Sequence, residues 1–425
     1  MMMHMDLDTF FVSAHRTLDI SLQNRPVAVG GRSNLKIFER KKMDIRLYNA
    51  NQGAFVNPVF YNDLRHDFRN FFVDIASDGR EKIRGIVVTS SYEARAKGVK
   101  TGMPLAEALR LVPDMVVLVP DYLLYHELSH NLYRFLCEAL PGVEQFSIDE
   151  FFVDLDGWVG EEEVLAYAAQ LKAQIWDKFR LPISIGISPA KWIAKLATKY
   201  AKPNGIYMVR KEEIADFTKD IPVKAFPGIG RGYARRLEHY FIETLGDVRA
   251  NKALLYRWKK PGRQLYHRVV GDDHERVASR SERKSIGISR TFDPIEDRSE
   301  VLRRILILAR HIVFLVTRHR LNPATYYLRL RYDTGCKEKR HVTVSRLFSE
   351  SLCKAQFKDL FASMARCIGC VTKISLSVSN FAYQRHKPFS LLEFDQDRAS
   401  RRLTDSLQKL REKYSLDIVK SGSEL

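Results

Sequence analysis

Two short apolar stretches carry acids that a plain core strand would not tolerate. The chain opens "MMMHMDLDTFF", and Asp6 and Asp8, two residues apart, share one face of an extended strand. The second stretch, Val143 to Asp156, reads "VEQFSIDEFFVDLD" and holds Asp149 and Glu150 side by side. Neighbours on a regular strand point to opposite faces, so these two converge only at a bend such as the tip of a hairpin. Brought together, Asp6, Asp149 and Glu150 would repel one another and suffer a heavy desolvation cost. Divalent cations remove that cost, and a donor set made only of oxygen suits Mg²⁺. Two such ions about 3.5–4 Å apart can clamp the attacking and leaving oxygens of a phosphoryl displacement. The alternative on spacing alone is a set of solvated strand-end acids, or acids paired with lysines.

Three further groupings suit anions. In "SSYEARAKGVKTGM", Tyr92, Arg95 and Lys97 crowd a glycine-bearing turn, and Arg and Tyr are good donors to phosphate oxygens. In "GISPAKWIAKLATKYAKPNG", Lys191, Lys195 and Lys199 recur every four residues, which makes one basic stripe on a helix or simply a solvated face. Lys202 precedes a rigid Pro-Asn-Gly turn that presents it. In "FPGIGRGYARRLEHYF", a turn through Gly228 and Gly230 opens a helix whose first N–H groups can receive a phosphate, a weak signal by itself.

The rest of the chain must position these groups. Its 425 residues predict two to four domains. No apolar run of about 18 residues predicts a membrane span, and the first residues lack the features of a secretory signal. Five cysteines fit a reducing cytoplasm, and Cys367-x-x-Cys370 has no second pair to complete a zinc site. A formal charge of +18, spread over several segments, points to a polyanion rather than a lipid surface.

Along the chain, "MHMDLDTFFV" reads as a strand, 122–140 as a helix, 161–180 as a helix with Val164, Leu165, Ala168, Leu171, Ile175 and Phe179 at helical spacing, and "LPISIGI" as a strand. Ser188 is a good N-cap and Pro189 a good first residue for a helix running to about Tyr200. Residues 210–270 are mainly helical, and 272–284 are polar enough for a linker. From 285 the order β-α-β-β-α-β predicts a ferredoxin-like split unit, followed by a tail ending in a charged helix.

The motifs "MDLDTFF", "SYEARAKGVKTGM", "SIDEFFVDLDG", "GISPAKWIAKLATKYAKPNG", "FPGIG" and "KSIGISRTF", in this order over nearly the whole chain, resemble the Y-family of translesion DNA polymerases, and most closely its DNA polymerase IV (DinB-like) branch. The resemblance implies an α+β multidomain right hand. A palm would span 1–10 and 120–209, and fingers 11–119. A helix-hairpin-helix thumb would span 210–271, a linker 272–284, a ferredoxin-like little finger 285–385 and a tail 386–425. It implies that Asp6, Asp149 and the Leu7 carbonyl hold two Mg²⁺ ions and that Glu150 is the catalytic carboxylate. Phe11 would discriminate the sugar, and Phe10, Tyr92, Arg95 and Lys202 would form the nucleotide pocket, with Phe10 also serving the core. Gly228, Gly230, Lys191 and Lys195 would meet DNA.

The implied activity is template-directed, low-fidelity DNA synthesis without proofreading. Its partners would be primer-template DNA, dNTPs and a sliding clamp at the tail segment 389–394, and the chain would be a cytoplasmic monomer. The rival readings are a catalytically inactive Y-family scaffold that binds DNA or clamp, and a nucleotide cyclase with a similar palm. Three departures stand out. An insertion occupies about 32–80, where the cluster Arg32, Lys36, Arg40, Lys41, Lys42 and Arg46 is either a DNA contact or a solvated loop. Pro189 and Ala190 stand where the family commonly has Asn before Lys. The tail "FSLLEF" lacks a leading Gln.

Overall fold

Met2–Leu7 (β1) is the central strand of a five-stranded sheet. Its partners are Glu150–Asp154 (β3) on one side and Ile183–Ser188 (β4) on the other, with Val143–Gln145 (β2) and Ile206–Met208 (β5) at the edges. The computed structural model describes residues 1–39, 45–47, 59–61, 67–75, 79–278, 283–365, 367–382, 390 and 392–425, of which 45–47 and 59–61 are described by backbone alone. Strand alternation divides the chemistry of the sheet. Met3, Met5, Leu7, Phe151, Val153, Ile183, Ile185 and Ile187 share a core with Tyr125, Leu132, Leu136, Ala168, Leu171 and Ile175 of helices Tyr122–Ala139 and Val164–Phe179. His4, Asp6, Ser184 and Gly186 fall on the opposite face, under the helix Lys191–Ala201 (α2). A Cβ at Gly186 would lie 2.1 Å from the Ala194 carbonyl, so only glycine allows α2 to pack this closely.

Two local expectations give way to tertiary pairing. The first strand stops at Leu7; Thr9 takes a left-handed conformation (φ 44°), and Phe10–Arg16 forms a helix (α1) instead of continuing the strand. Ser188 does not cap α2. It is the last residue of β4, paired with Met2, and Ala190 occupies the N-cap with no side-chain hydrogen bond.

A second sheet, Ile86–Ser90, Val27–Gly31 and Val116–Leu118 in that order, lies in the region expected as fingers. The region expected as thumb contains helices Arg231–Glu238, Leu245–Ala250, Lys252–Arg257 and Lys259–Val270, built on a core of Phe226, Leu237, Leu245, Leu255 and Leu265 with Trp192 and Leu196 of α2. Asp272 to Ala278, expected as free linker, has no regular structure, yet Ala278 N–H and Arg276 carbonyl bond to Glu144 and Lys191.

The chain divides into two units, the second formed by Glu282–Leu425 together with Arg32–Tyr48 and Pro58–Arg65. Its sheet runs Ser285–Ile295 (β6), Val371–Phe381 (β9), Pro323–Tyr332 (β7), Lys337–Thr343 (β8), so each βαβ unit is split by an inserted strand. Helices Arg298–Arg318 (α3) and Glu350–Ala362 (α4) contribute Ile305, Leu308, Ile312 and Phe357 to its core.

Part of the 32–80 insertion belongs to this same core. Ile37 and Phe38 are buried in it. Ser33 and Asn34 accept hydrogen bonds from Thr291 and Arg290, Phe38 carbonyl accepts from Arg303, and the Arg304 guanidinium lies 4.6 Å from the Phe38 ring centre. Arg32 and Lys36 therefore sit on a docked strap. Arg40, Lys41, Lys42 and the Arg46 side chain lie outside the described residues.

The expected tail is likewise built in. It carries the helix Phe394–Lys413 (α5), and its end is gripped by Arg310, 1% exposed, which donates to Glu424 at 2.6 Å and Asp417 at 2.5 Å. In the segment 389–394, residues 389 and 391 lie outside the description and Leu392 is fully exposed. Cys367 pairs with Cys336 in a disulfide (Cα–Cα 6.1 Å), and Cys370 is free.

Candidate active site

The acids meet where β1 and the β2–β3 hairpin run side by side. Asp6 and Glu150 are register partners, and the Leu7 N–H donates to the Asp149 carbonyl at 3.0 Å. Asp149 sits in the hairpin loop just before β3, so the adjacent acids need not obey strand alternation. Its carboxylate accepts from Ser147 at 2.5 Å. Burial, joined by repulsion from Glu150, raises its pKa. Asp6 is pushed up to about 7, because its burial outweighs the Lys202 ammonium 2.5 Å away. Leu7 points its side chain into the core and leaves only backbone for the site.

Cations from this same chain hold the acids. Lys202 Nζ bonds Asp6, and Lys195 Nζ bonds Glu150. Lys191, 5% exposed, bonds Glu144 at 2.6 Å, and Lys199 donates to the Ala225 carbonyl. The basic stripe of α2 thus faces the sheet and its neighbours. Lys191 and Lys195, expected to meet DNA, are here paired with acids on the adjoining strands. Among the described residues, no three Asp, Glu, His or Cys side chains converge closely enough to cage an ion in this arrangement. The donors themselves, carboxylates and a carbonyl, are the hard oxygens that Mg²⁺ prefers, and two lysines already balance charge that such ions would balance.

Asp8 and His4 escaped the reading of the sequence as site residues. Asp8, 1% exposed, accepts from Tyr92 Oη at 2.8 Å, Ser184 Oγ at 2.8 Å and the Asn204 N–H at 2.6 Å. It therefore ties together β4, the Lys202–Asn204 turn and Tyr92, whose hydroxyl pKa is raised by burial and by the Asp8 charge. The signal available was the two-residue spacing from Asp6. His4, at the same spacing on the other side, is buried next to Glu150.

Arg95 is exposed, with its guanidinium 5.2 Å from the Tyr92 ring centre. Lys97 pairs with Asp114 at 3.6 Å. On α1, Phe10 is buried in the core, while Phe11 is partly exposed and stacks on Tyr125 at 4.2 Å. Away from this cluster, Gly228 has φ 88° and Gly230 caps Arg231–Glu238; a Cβ at Gly230 would meet open space.

Residues 58–199 match the impB/mucB/samB family, and 283–391 match that family's C-terminal domain. DNA polymerase IV of Oceanobacillus iheyensis is 31% identical over 353 residues, covering 80% of this chain and 83% of that protein. DNA polymerase IV 1 of Halalkalibacterium halodurans is 30% identical over 360 residues, covering 80% and 84%. Among solved structures, a Y-family DNA polymerase chimera of Dbh and Dpo4 superposes with a TM-score of 0.68 at 21% identity, covering 89% of this chain and 98% of that one. DinB from Sulfolobus solfataricus gives 0.51 at 21% identity, with the same coverage. These two share the fold. With matches to both family models and 30–31% identity to relatives over 80% of its length, the chain belongs to the impB/mucB/samB family of Y-family, DinB-like DNA polymerases, with DNA-directed DNA polymerase activity.

Proposed function

We propose that the protein is a Mg²⁺-dependent, low-fidelity polymerase for translesion synthesis. It adds dNMP to a primer 3′-OH, releases pyrophosphate and has no proofreading. The observation that carries this reading is the register pair Asp6–Glu150 with Asp149 beside it and Lys202 in reach. A catalytically inactive scaffold would have no reason to keep three half-buried acids together against their mutual repulsion.

When bound, the metal ions supply positive charge to the triphosphate and to the attacking oxygen. Asp6, Asp149 and the Leu7 carbonyl would hold them, and Glu150 would complete the cluster. Lys202, released from Asp6, is placed to meet phosphate oxygens as a charge-assisted donor, and exposed Arg95 offers a second. Tyr92 keeps the Lys202 turn in place through Asp8. The partly exposed ring of Phe11 offers a wall for the sugar. The +18 charge supports binding of primer-template DNA. The remaining expectations are a monomer in the cytoplasm, with a sliding clamp held at 389–394.

Primer extension with Mg²⁺, with and without EDTA, tests the core of this reading. Asp149→Asn and Glu150→Gln should each lose extension by orders of magnitude while DNA affinity stays within a few-fold. Near-normal extension by both variants, or extension indifferent to EDTA, overturns it. Persistence of a mismatched primer terminus tests the absence of proofreading.

A further inference from the structure

His4 lies beneath the acids and has no part in the reading above. It pairs with Phe152 and Gly186 in the middle of the sheet, is 1% exposed, and faces the same side as Asp6. Its Nδ1 is 2.8 Å from Thr198 Oγ1. Its Nε2 has no hydrogen-bond partner and stands 3.8 Å from Glu150 Oε1, the oxygen that Lys195 holds. The ring is fully buried, where a charged imidazolium would carry a desolvation cost that the neutral form escapes.

A neutral imidazole carries one N–H, and Thr198 decides which nitrogen has it. The Thr198 hydroxyl can donate to the Ala194 carbonyl at 3.0 Å or to His4 Nδ1. In the first case Nδ1 is protonated, and the bare Nε2 lone pair faces a carboxylate in a dry site, which is repulsive. In the second case Nε2 is protonated and its N–H points at Glu150. Thr198 is itself buried, 1% exposed, and packs closely against Gly186.

We propose that His4 is a positioning residue: Thr198 fixes the Nε2–H tautomer, and that N–H takes hold of Glu150 when Lys195 releases it. The proposal rests on Glu150 being the catalytic carboxylate. The step closes the 3.8 Å between Nε2 and Oε1, and the carboxylate then stays aimed at the Asp6 side with no ammonium neutralising it.

The test is ¹⁵N-histidine NMR on the full chain, without metal and then with Mg²⁺, using His4→Gln to assign the resonance. The expected result is an Nε2–H tautomer whose proton shifts downfield when Mg²⁺ is added. In primer extension, His4→Leu should lower kcat about 10- to 100-fold, the worth of one hydrogen bond to a charged group, with KM for dNTP nearly unchanged. His4→Gln, whose amide can donate from nearly the same place, should recover most of that loss. Should His4→Leu fail to fold, Thr198→Val, which keeps the ring but frees its tautomer, should give a tautomer mixture and a lower kcat. An Nδ1–H tautomer, equal kcat for the Leu and Gln variants, or a Thr198→Val variant that changes neither tautomer nor kcat overturns the proposal. The NMR readout does not depend on turnover, so its failure is distinct from a Glu150→Gln variant that still extends primers.

Discussion

Asp8 is the acid whose loss should be felt most in the architecture of the site. The Asp8→Ala substitution removes the acceptor of three donors: Ser184 Oγ, Asn204 N–H and Tyr92 Oη. Ser184 is fully buried, so its hydroxyl is left without water as well as without a partner. Each stranded buried donor costs about 1–3 kcal/mol. Tyr92 is only partly buried and Asn204 is exposed, so both can turn to solvent and Ser184 sets the total, at about 1–3 kcal/mol. Asp8→Asn keeps the volume and one carbonyl oxygen for Ser184 and Asn204, and the Tyr92 hydroxyl can rotate to accept from the new amide. Its cost should be about 1 kcal/mol, the loss of charge assistance. The assay is urea unfolding at pH 7, paired with single-nucleotide incorporation. In the alanine variant KM for dNTP should rise with the instability, because the Lys202–Asn204 turn has lost its anchor; in the asparagine variant it should stay within a few-fold. If Asp8→Ala unfolds within about 0.5 kcal/mol of the wild type, as ordinary surface substitutions do, the three bonds contribute nothing net and the anchoring argument is refuted.

Phe11→Ala should admit ribonucleotides at least ~10-fold better relative to deoxyribonucleotides, since misplacement of about 1 Å can cost about 10²-fold in rate. Phe10→Ala should instead cost about 3–5 kcal/mol in a melt; a Phe11→Ala variant that rejects ribonucleotides as the wild type does would remove the sugar assignment. Glu424→Gln leaves buried Arg310 short of a charge partner and should cost about 3–5 kcal/mol in urea unfolding at pH 7. Arg310 and Lys354 hold the Glu424 pKa below its unfolded value of about 4.3, so this stabilisation is present above that pH and lost as pH falls through the folded value. The variant should therefore show a flatter acid limb, and an unchanged limb would argue against the pair. DNA affinity should fall with salt at a log–log slope of about −4 to −7 if about 4–8 phosphates are neutralised; binding indifferent to salt would count against a basic groove.

What the sequence made legible follows period and spacing. The alternation in "MHMDL" and "EFFVDL" separates a hydrophobic face from one bearing the acids, with Phe152 the exception beside His4, and the hairpin explains how Asp149 and Glu150 converge. The start of α1 was hidden, because "DTFFV" has strand propensity and nothing in it announces a left-handed Thr9. Lys191 and Lys195 show the limit of periodicity: a four-residue repeat defines a stripe, but whether the stripe meets water or Glu144 and Glu150 depends on a sheet assembled from distant segments. Nothing in the sequence marks Arg310 or Arg411 for burial; the returning C-terminus supplies Glu424 and places α5 so that Arg411 meets Glu350. The strap at 32–39 has no period of its own, so its burial could not be read.

That strap bears on how the gene can be cut and joined. The C-terminal unit draws Ile37 and Phe38 from a stretch encoded some two hundred and fifty codons upstream of Arg290, which donates to Asn34 across 256 positions. A segment starting at the 272–284 boundary is therefore not an exchangeable cassette. Moved alone into a relative, it would arrive with Phe292 and Arg304 uncovered, and it would leave behind a strap with no groove to fill. Inheritance by recombination must carry both stretches together or repair the seam, so the insertion and the domain it completes are bound to change in step.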